Sequence, residues 1–495
     1  MNSSRIIAQG VLWTTILNVV NALYGFVSVP ILIALYGKSD FGLIGLAISI
    51  NVYLRLMDLG FNSTNIRYFS SWLAKGNYSN VNKLFRTSLS FYGSIGLINA
   101  IILLIISYFS NYIFNLSVEQ DIIIKHLLYI LSISAFLSWF SSCFDQLIKG
   151  NEHVGWTQMA LLLPKCSQFI ILFLTITFHF SIELYYGLTA LSLILVIPFM
   201  IAKIKSINPF ISFSPSFDKV VFKEVLPYSL NIFSLGIFQF SIIYLRPIFL
   251  GILSSPDSIT EYQIMDGIVK VVLLFGGAVG GVILPSASRI IAKHDDDAKN
   301  KIAYQGTKYV SIMLSFCCFG MISVTPDIIS LYVGPEYLYI VKWLDLWIFI
   351  TICSHNQAIS GLILADTNIK MITISTMFAA IIGLILCWFL IPYYGVGGTV
   401  ISYGVYLVIQ LLFYYLYYWP VVMKLNSLKV FGISFAPYVL LGLICSLILR
   451  TVIIEGSLCS LIVKGVAFCL IYFLSILLIL PSDDKRFLFN LMKRK

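Results

Sequence analysis

The stretch from Gly10 to Gly60, GVLWTTILNVVNALYGFVSVPILIALYGKSDFGLIGLAISINVYLRLMDLG, decides the fold. It holds two apolar runs, 10–36 and 41–59, parted by the short polar turn Tyr36-Gly37-Lys38-Ser39-Asp40. A bilayer core about 30 Å thick takes about 20 apolar residues of helix to cross. Each run is therefore read as a crossing. Working outward, the same pattern predicts crossings at 87–110, 122–148, 157–178, 182–202, 225–253, 262–284, 306–324, 343–364, 371–390, 396–418, 430–449 and 461–480. The runs are too long for the strands of a barrel, and helices satisfy their own backbone in lipid. The expected fold is an all-α polytopic membrane protein of about 14 helices, so function is to be sought in the few charged groups that share the membrane.

Composition agrees. Of 495 residues, 59% are hydrophobic and 11% charged, and the mean hydropathy is +0.93. A soluble domain carries about 25% charged residues. The longest polar gap, around 285–305, is too short to bury a core, so a soluble catalytic domain is excluded and the chain is read as a non-enzyme. The first run exceeds a signal-peptide core and no small-residue cleavage site follows, so it is kept as the first helix. The nine cysteines show no metal-ligand spacing and read as small buried hydrophobes. No phosphate-binding glycine loop, nucleophile triad or selectivity-filter sequence appears, and no cofactor or metal is expected.

Orientation follows from Lys and Arg. With a cytoplasmic N-terminus, the even-numbered gaps and both termini hold 23 of the 32 basic residues. The odd-numbered gaps hold five: Lys38, Lys125, Lys342, Arg450 and Lys464. Positive charge stays on the cytoplasmic side, so both termini are expected there. The net charge of +10 is thus a topology signal and an attraction to anionic lipid, not a nucleic-acid footprint.

The chain looks duplicated. Val29-Pro30-Ile31-Leu32 ends the first helix and Arg246-Pro247-Ile248-Phe249 the seventh, each before a short polar turn. The expected organisation is a six-helix half over 1–202, a basic cytoplasmic linker over 203–224, a second six-helix half over 225–420, and two extra helices with a basic tail over 421–495. That is the parallel-repeat transporter design, in which substrate binds between rocking halves. Pro30, Pro164, Pro227 and Pro247 are kinks or hinges, and Gly276-Gly277-Ala278-Val279-Gly280-Gly281 allows close packing or flexing of the eighth helix.

A charge at mid-bilayer costs about 2.5–3.5 kcal/mol on insertion scales and normally faces a bundle interior or a wet cavity. Arg55 and Asp58 share a helix face three residues apart. Arg246 lies deep in the seventh helix, Asp266 and Lys270 sit one turn apart on the eighth, and Lys165 lies two turns into the fifth. Asp145 and Lys149 pair near the end of the fourth. Internal ion pairing is the structural reading of these groups. The excess of cations favours an anionic ligand for Arg55, Arg246, Lys270 and Lys165. Asp58, Asp266 and Asp145 are the candidates for ion coupling. Asn18, Asn21, Asn231 and Gln239, with His355, Asn356 and Gln357, are intramembrane polar groups that either glue helices or contact sugar hydroxyls.

Gly10, Pro30, Tyr36-Gly37-Lys38-Ser39-Asp40-Phe41-Gly42, Leu56-Met57-Asp58-Leu59-Gly60 and Arg67 together form a pattern that resembles the polysaccharide flippases, the Wzx-type O-antigen transporters of the multidrug/oligosaccharidyl-lipid/polysaccharide exporter superfamily. Leu284-Pro285-Ser286-Ala287-Ser288-Arg289 looks like the second-half counterpart. The resemblance implies a cationic central cavity and a bacterial inner-membrane location. The implied cargo is an undecaprenyl-diphosphate-linked oligosaccharide moved from the cytoplasmic to the periplasmic leaflet. It also implies membrane-lipid contacts and, as partners, the O-antigen polymerase and chain-length regulator. The alternatives are a multidrug exporter, a lipid II flippase and a non-transporting envelope scaffold. The first helix lacks the acidic residue typical of the first and the arginines typical of the second.

Reporter fusions after Lys38, Glu119 and Asp257 should signal periplasm, and fusions after Lys75, Lys205 and Lys299 cytoplasm. Inverted signals at most of these sites would overturn the orientation.

Overall fold

A computed structural model describes residues 3–273, 296–356, 359 and 370–480, and every described element is helical. Gly276–Gly281, Leu284–Arg289, Gln357 and the basic tail beyond 480 lie outside the described residues. Eleven described helices are long and apolar enough to cross a membrane, and the bent pair Lys219–Ser234 with Gly236–Tyr244 makes a twelfth.

The expected fourteen are recovered from two features. The first two crossings are counted as one helix, Gln9–Asp58, of 50 residues. At 1.5 Å per residue this is about 75 Å of helix, more than twice a bilayer core. It is broken at Gly37, whose φ of 84° and ψ of 166° are not helical. A side chain is disfavoured there, and glycine is not. The break is therefore tighter than the polar turn expected over Tyr36-Gly37-Lys38-Ser39-Asp40: helix stops and restarts around one residue. The eighth crossing is described only over 256–273.

The chain forms two compact units. One comprises Met1–Ile264 with Leu384–Thr399, the other Met265–Gly383 with Val400–Lys495. Within the first unit the odd-numbered gaps gather at one end. Gln120 Nε2 donates to Ser39 Oγ at 2.6 Å, Tyr36 Oη to the Phe180 carbonyl at 2.9 Å, and Asn115 Nδ2 to the Ser254 carbonyl at 2.7 Å. Lys38 reaches Glu261 at 2.7 Å. The even-numbered gaps gather at the other end. Arg86 Nε donates to the Ser214 carbonyl at 2.9 Å, and the Ser212 N–H to Asn82 Oδ1 at 2.9 Å. Alternating gaps on opposite ends is what a chain threading back and forth must produce.

The second unit repeats the rule. Arg450 pairs with Asp345, and Asp327 takes Lys464 at 3.6 Å and Ser460 at 3.0 Å, tying the last two helices to the 307–351 region. At its other end the Asn426 N–H donates to the Tyr304 hydroxyl at 3.0 Å.

Local signals explain the helix ends. Ser117 and Gln120 form a reciprocal capping box that starts Val118–Gly150. Asp218 caps Lys219–Tyr244 by accepting from the N–H groups of Val220 and Val221. Those hydrogen bonds, aided by Lys83 at 3.6 Å, hold its carboxyl below the usual carboxylate range. Its cap therefore acts above ordinary carboxylate pKa values and is lost as pH falls through its own lowered one.

One turn of the first unit is packed against a neighbouring helix. Gly60 has φ +81°, and a Cβ there would lie 2.4 Å from the Ser229 carbonyl oxygen. Gly76 has φ +69° with nothing within 4 Å. Gly76→Ala should cost only left-handed strain, about 1 kcal/mol, and Gly60→Ala visibly more, since a backbone atom must move. Melting temperatures of the two variants in detergent check this: equal shifts would mean that the Gly60–Ser229 approach is not tight.

Candidate functional site

The turn after the second crossing builds the site. Helix gives way to a 3-10 turn at Arg55–Asp58, Leu59 adopts φ 51°, Gly60 follows at φ 81°, and helix resumes at Phe61. Positive φ at a branched residue is unfavourable. It is held because the Leu59 N–H donates to the Leu56 carbonyl and the Leu59 carbonyl accepts from Ser229 Oγ at 2.5 Å. Asp58 is thereby placed before a helix N-terminus, where Oδ2 accepts the Asn62 N–H at 3.0 Å.

The other carboxylate oxygen starts a chain of buried hydrogen bonds. Tyr92 Oη donates to Asp58 Oδ1 at 2.6 Å. Gln146 Nε2 donates to that hydroxyl at 2.7 Å, Asn65 Nδ2 to Gln146 Oε1 at 2.8 Å, and Asn65 Nδ2 also to Ser88 Oγ at 3.0 Å. Tyr92, Asn65 and Gln146 are fully buried. Tyr92 also stacks on Trp139, ring centres 5.8 Å apart. In a low-dielectric interior such a chain is stable only when its members satisfy one another.

Above this chain lies a pocket of about 170 Å³. Asn51, Arg55, Asp58 and Asn62 line one side, and Ser138, Trp139, Ser142 and Gln146 the other. The Arg55 guanidinium makes no hydrogen bond and no ion pair with the described residues. It lines a polar cavity and lies in the electrostatic field of Asp58. The arrangement can offer a fork to an oxyanion and fixed acceptors beside it.

Of the residues expected from sequence, the structure thus brings Arg55 and Asp58 together. Arg246 is buried in the same unit, away from this pocket, with its guanidinium 5.3 Å from the Tyr262 ring centre. Lys165 is half-buried, donates to Gln168 Oε1 at 3.0 Å and lies 5.3 Å from the Tyr24 ring centre. Asp145 pairs with Lys149 at 2.6 Å. In the second unit Asp266 pairs with Lys270 at 2.5 Å, the lysine being largely exposed. Asn18, Asn231 and Gln239 are exposed and Asn21 is half-buried. His355 is buried, its Nε2 2.7 Å from the Tyr415 hydroxyl.

Tyr92, Gln146, Asn65 and Trp139 escaped the sequence reading. Gln146 and Asn65 carried a usable signal, as amides inside or beside apolar runs. Tyr92 and Trp139 carried none, because aromatics in a crossing are ordinary. Among the described residues no group of three potential ligands suits a metal ion.

The family model "Polysaccharide biosynthesis protein" matches residues 7–291, which include the whole pocket. No curated protein matches the chain. Solved structures similar in fold include a lipid II flippase, MurJ, in an inward closed conformation, at 17% identity and TM-score 0.74, covering 94% of this chain and 98% of that one. A multidrug resistance MATE family transporter of the MOP superfamily, inward-facing, has 14% identity and TM-score 0.61, covering 87% and 95%. The MATE multidrug transporter DinF-BH has 14% identity and TM-score 0.57, covering 84% and 96%. Identities this low carry the fold and nothing finer.

Removing the Tyr92 hydroxyl strands an oxygen of Asp58 and a donor of Gln146. Tyr92→Phe should cost about 1–3 kcal/mol. Tyr92→Phe and Gln146→Leu should be non-additive by at least about 0.5 kcal/mol. Unfolding of the two single variants and the double variant measures this, and strict additivity would show that the bonds are not one network.

Proposed function

The chain belongs to the polysaccharide biosynthesis protein family, and on that premise we propose that it is a flippase for a lipid-linked oligosaccharide. The cargo we propose is an undecaprenyl-diphosphate-linked O-antigen unit, moved by alternating access from the cytoplasmic to the periplasmic leaflet of a bacterial inner membrane. Multi-pass architecture and the shared fold support transport over catalysis. The observation that carries the proposal is Arg55: a guanidinium within a membrane-spanning segment, lining a polar pocket, with no hydrogen bond or ion pair to the described residues. An unpaired cation in a polar pocket within the membrane calls for an anionic ligand, and a diphosphate supplies charge and acceptors together.

Lys165, Arg246 and Lys270 are proposed as further stations for the anionic headgroup as the conformation changes. Asn18, Asn21, Asn231 and Gln239 are proposed to meet sugar hydroxyls. Energy enters through a carboxylate whose charge is needed in only one conformation. Asp266 is the first choice because Lys270 can exchange it for phosphate, with Asp58 and Asp145 behind it. The polymerase and chain-length regulator are the partners proposed to receive the product.

Arg55→Ala should abolish surface polysaccharide while the protein remains at normal level in the membrane. Arg55→Lys should keep partial activity, since a wet pocket needs the charge more than the fork. Undiminished polysaccharide on cells carrying Arg55→Ala would remove Arg55 from the transport path.

A further inference from the structure

The pocket beside Arg55 holds more chemistry than an anion requires. A diphosphate needs donors. Here a carboxylate, three amides, two hydroxyls and an indole share the wall with the guanidinium. Asp58 repels a phosphate and accepts from hydroxyls. Both of its oxygens are oriented by Tyr92 and the Asn62 N–H, yet each keeps a lone pair. Gln146 is likewise fixed at both ends. Ser138 and Ser142 donate to backbone carbonyls of their own helix, which turns their oxygens into acceptors. By contrast, the side-chain amides of Asn51 and Asn62 make no hydrogen bond with the described residues, so each offers a donor and an acceptor to the cavity.

A ligand matched to this wall presents several hydroxyls or an amide that both donate and accept, and an apolar edge for Trp139. It must also fit about 170 Å³. Planar polar side chains with one aromatic wall suit a single pyranose ring, whose hydroxyls project around its rim while its C–H groups form apolar faces. An unmatched polar group in such a site is costly, so the wall discriminates as well as binds.

We propose that this pocket is the subsite for the sugar attached directly to the lipid diphosphate. Arg55 takes the adjoining phosphate, and Asn51, Asn62 and Asp58 read the hydroxyls or acetamido group of that first ring. The inference rests on the flippase reading above and adds to it a place and a set of residues for sugar recognition. Asp58 is here a hydroxyl acceptor, held by Tyr92 and Gln146 as positioning residues.

The test compares two probes on the purified full-length protein in detergent: undecaprenyl diphosphate, and undecaprenyl diphosphate bearing a single N-acetylhexosamine. Wild type should hold the glycosylated probe about tenfold tighter or better, a difference of about 1.4 kcal/mol. Asn51→Ala and Asn62→Ala, both at partly open positions, should erase most of that advantage while leaving the bare lipid's Kd unchanged. Arg55→Ala should weaken both probes by the same factor. Equal binding of the two probes by wild type overturns the sugar subsite, and so does an asparagine variant that weakens both alike. Either result leaves the flippase reading standing as long as Arg55→Ala still weakens binding. If neither probe binds, or Arg55→Ala changes neither, the flippase reading itself fails.

Discussion

The hydrogen bond from Tyr92 to Asp58, 2.6 Å long, is the interaction on which the polar interior of the first unit depends. A carboxylate within a membrane-spanning segment needs fixed partners. Here a phenol and a backbone N–H are those partners. The phenol is held by Gln146, which is held by Asn65, which reaches Ser88. These side chains come from the turn and helix at 55–74, the Tyr78–Tyr108 helix and the Val118–Gly150 helix. One acid thus fixes the relative rotation of three segments. The 3-10 turn that carries Asp58 also carries Arg55, so the same network aims the cation.

Apolar contact could not do this alone. Between helices in lipid, hydrocarbon meets hydrocarbon whether or not they associate, so register comes from close backbone approach and polar bonds. The first unit shows both. Gly60 lets a turn touch Ser229, Gly150 leaves room for Phe69, and Gly42 sits against the Pro256 carbonyl. The aromatic cluster around Phe61, Phe85, Trp139 and Phe144 fills the space that these fixed points define.

Much of this was legible from residue order and much was not. Span positions follow from hydropathy, which is a local sum. The Asp266–Lys270 and Asp145–Lys149 pairs follow from helical spacing, which is local too. Which turns meet follows from the up-and-down threading that the span positions imply. The partners of Asp58 are a different kind of fact. Tyr92 lies 34 residues from it, and Gln146 lies 54 from Tyr92. No periodicity links residues on three crossings, and window averaging hides a tyrosine or glutamine among leucines. The first break was also misjudged in extent, because Gly37 compresses into one residue a turn that the polar letters Gly37–Asp40 made look longer.

The long-range ion pairs within each unit bear on how the protein is made. Lys38 finds Glu261, 223 residues later in the chain. Asp345 and Asp327 come before their partners Arg450 and Lys464 by more than a hundred residues. A ribosome delivers these groups at different times. Lys38 has no Glu261 to meet until the segment that carries residue 261 has been made. Asp327 and Asp345 likewise wait for bases that are made later. These pairs are therefore late fasteners: each closes only after the chain that carries its second partner arrives, for Asp327 and Asp345 the last two helices.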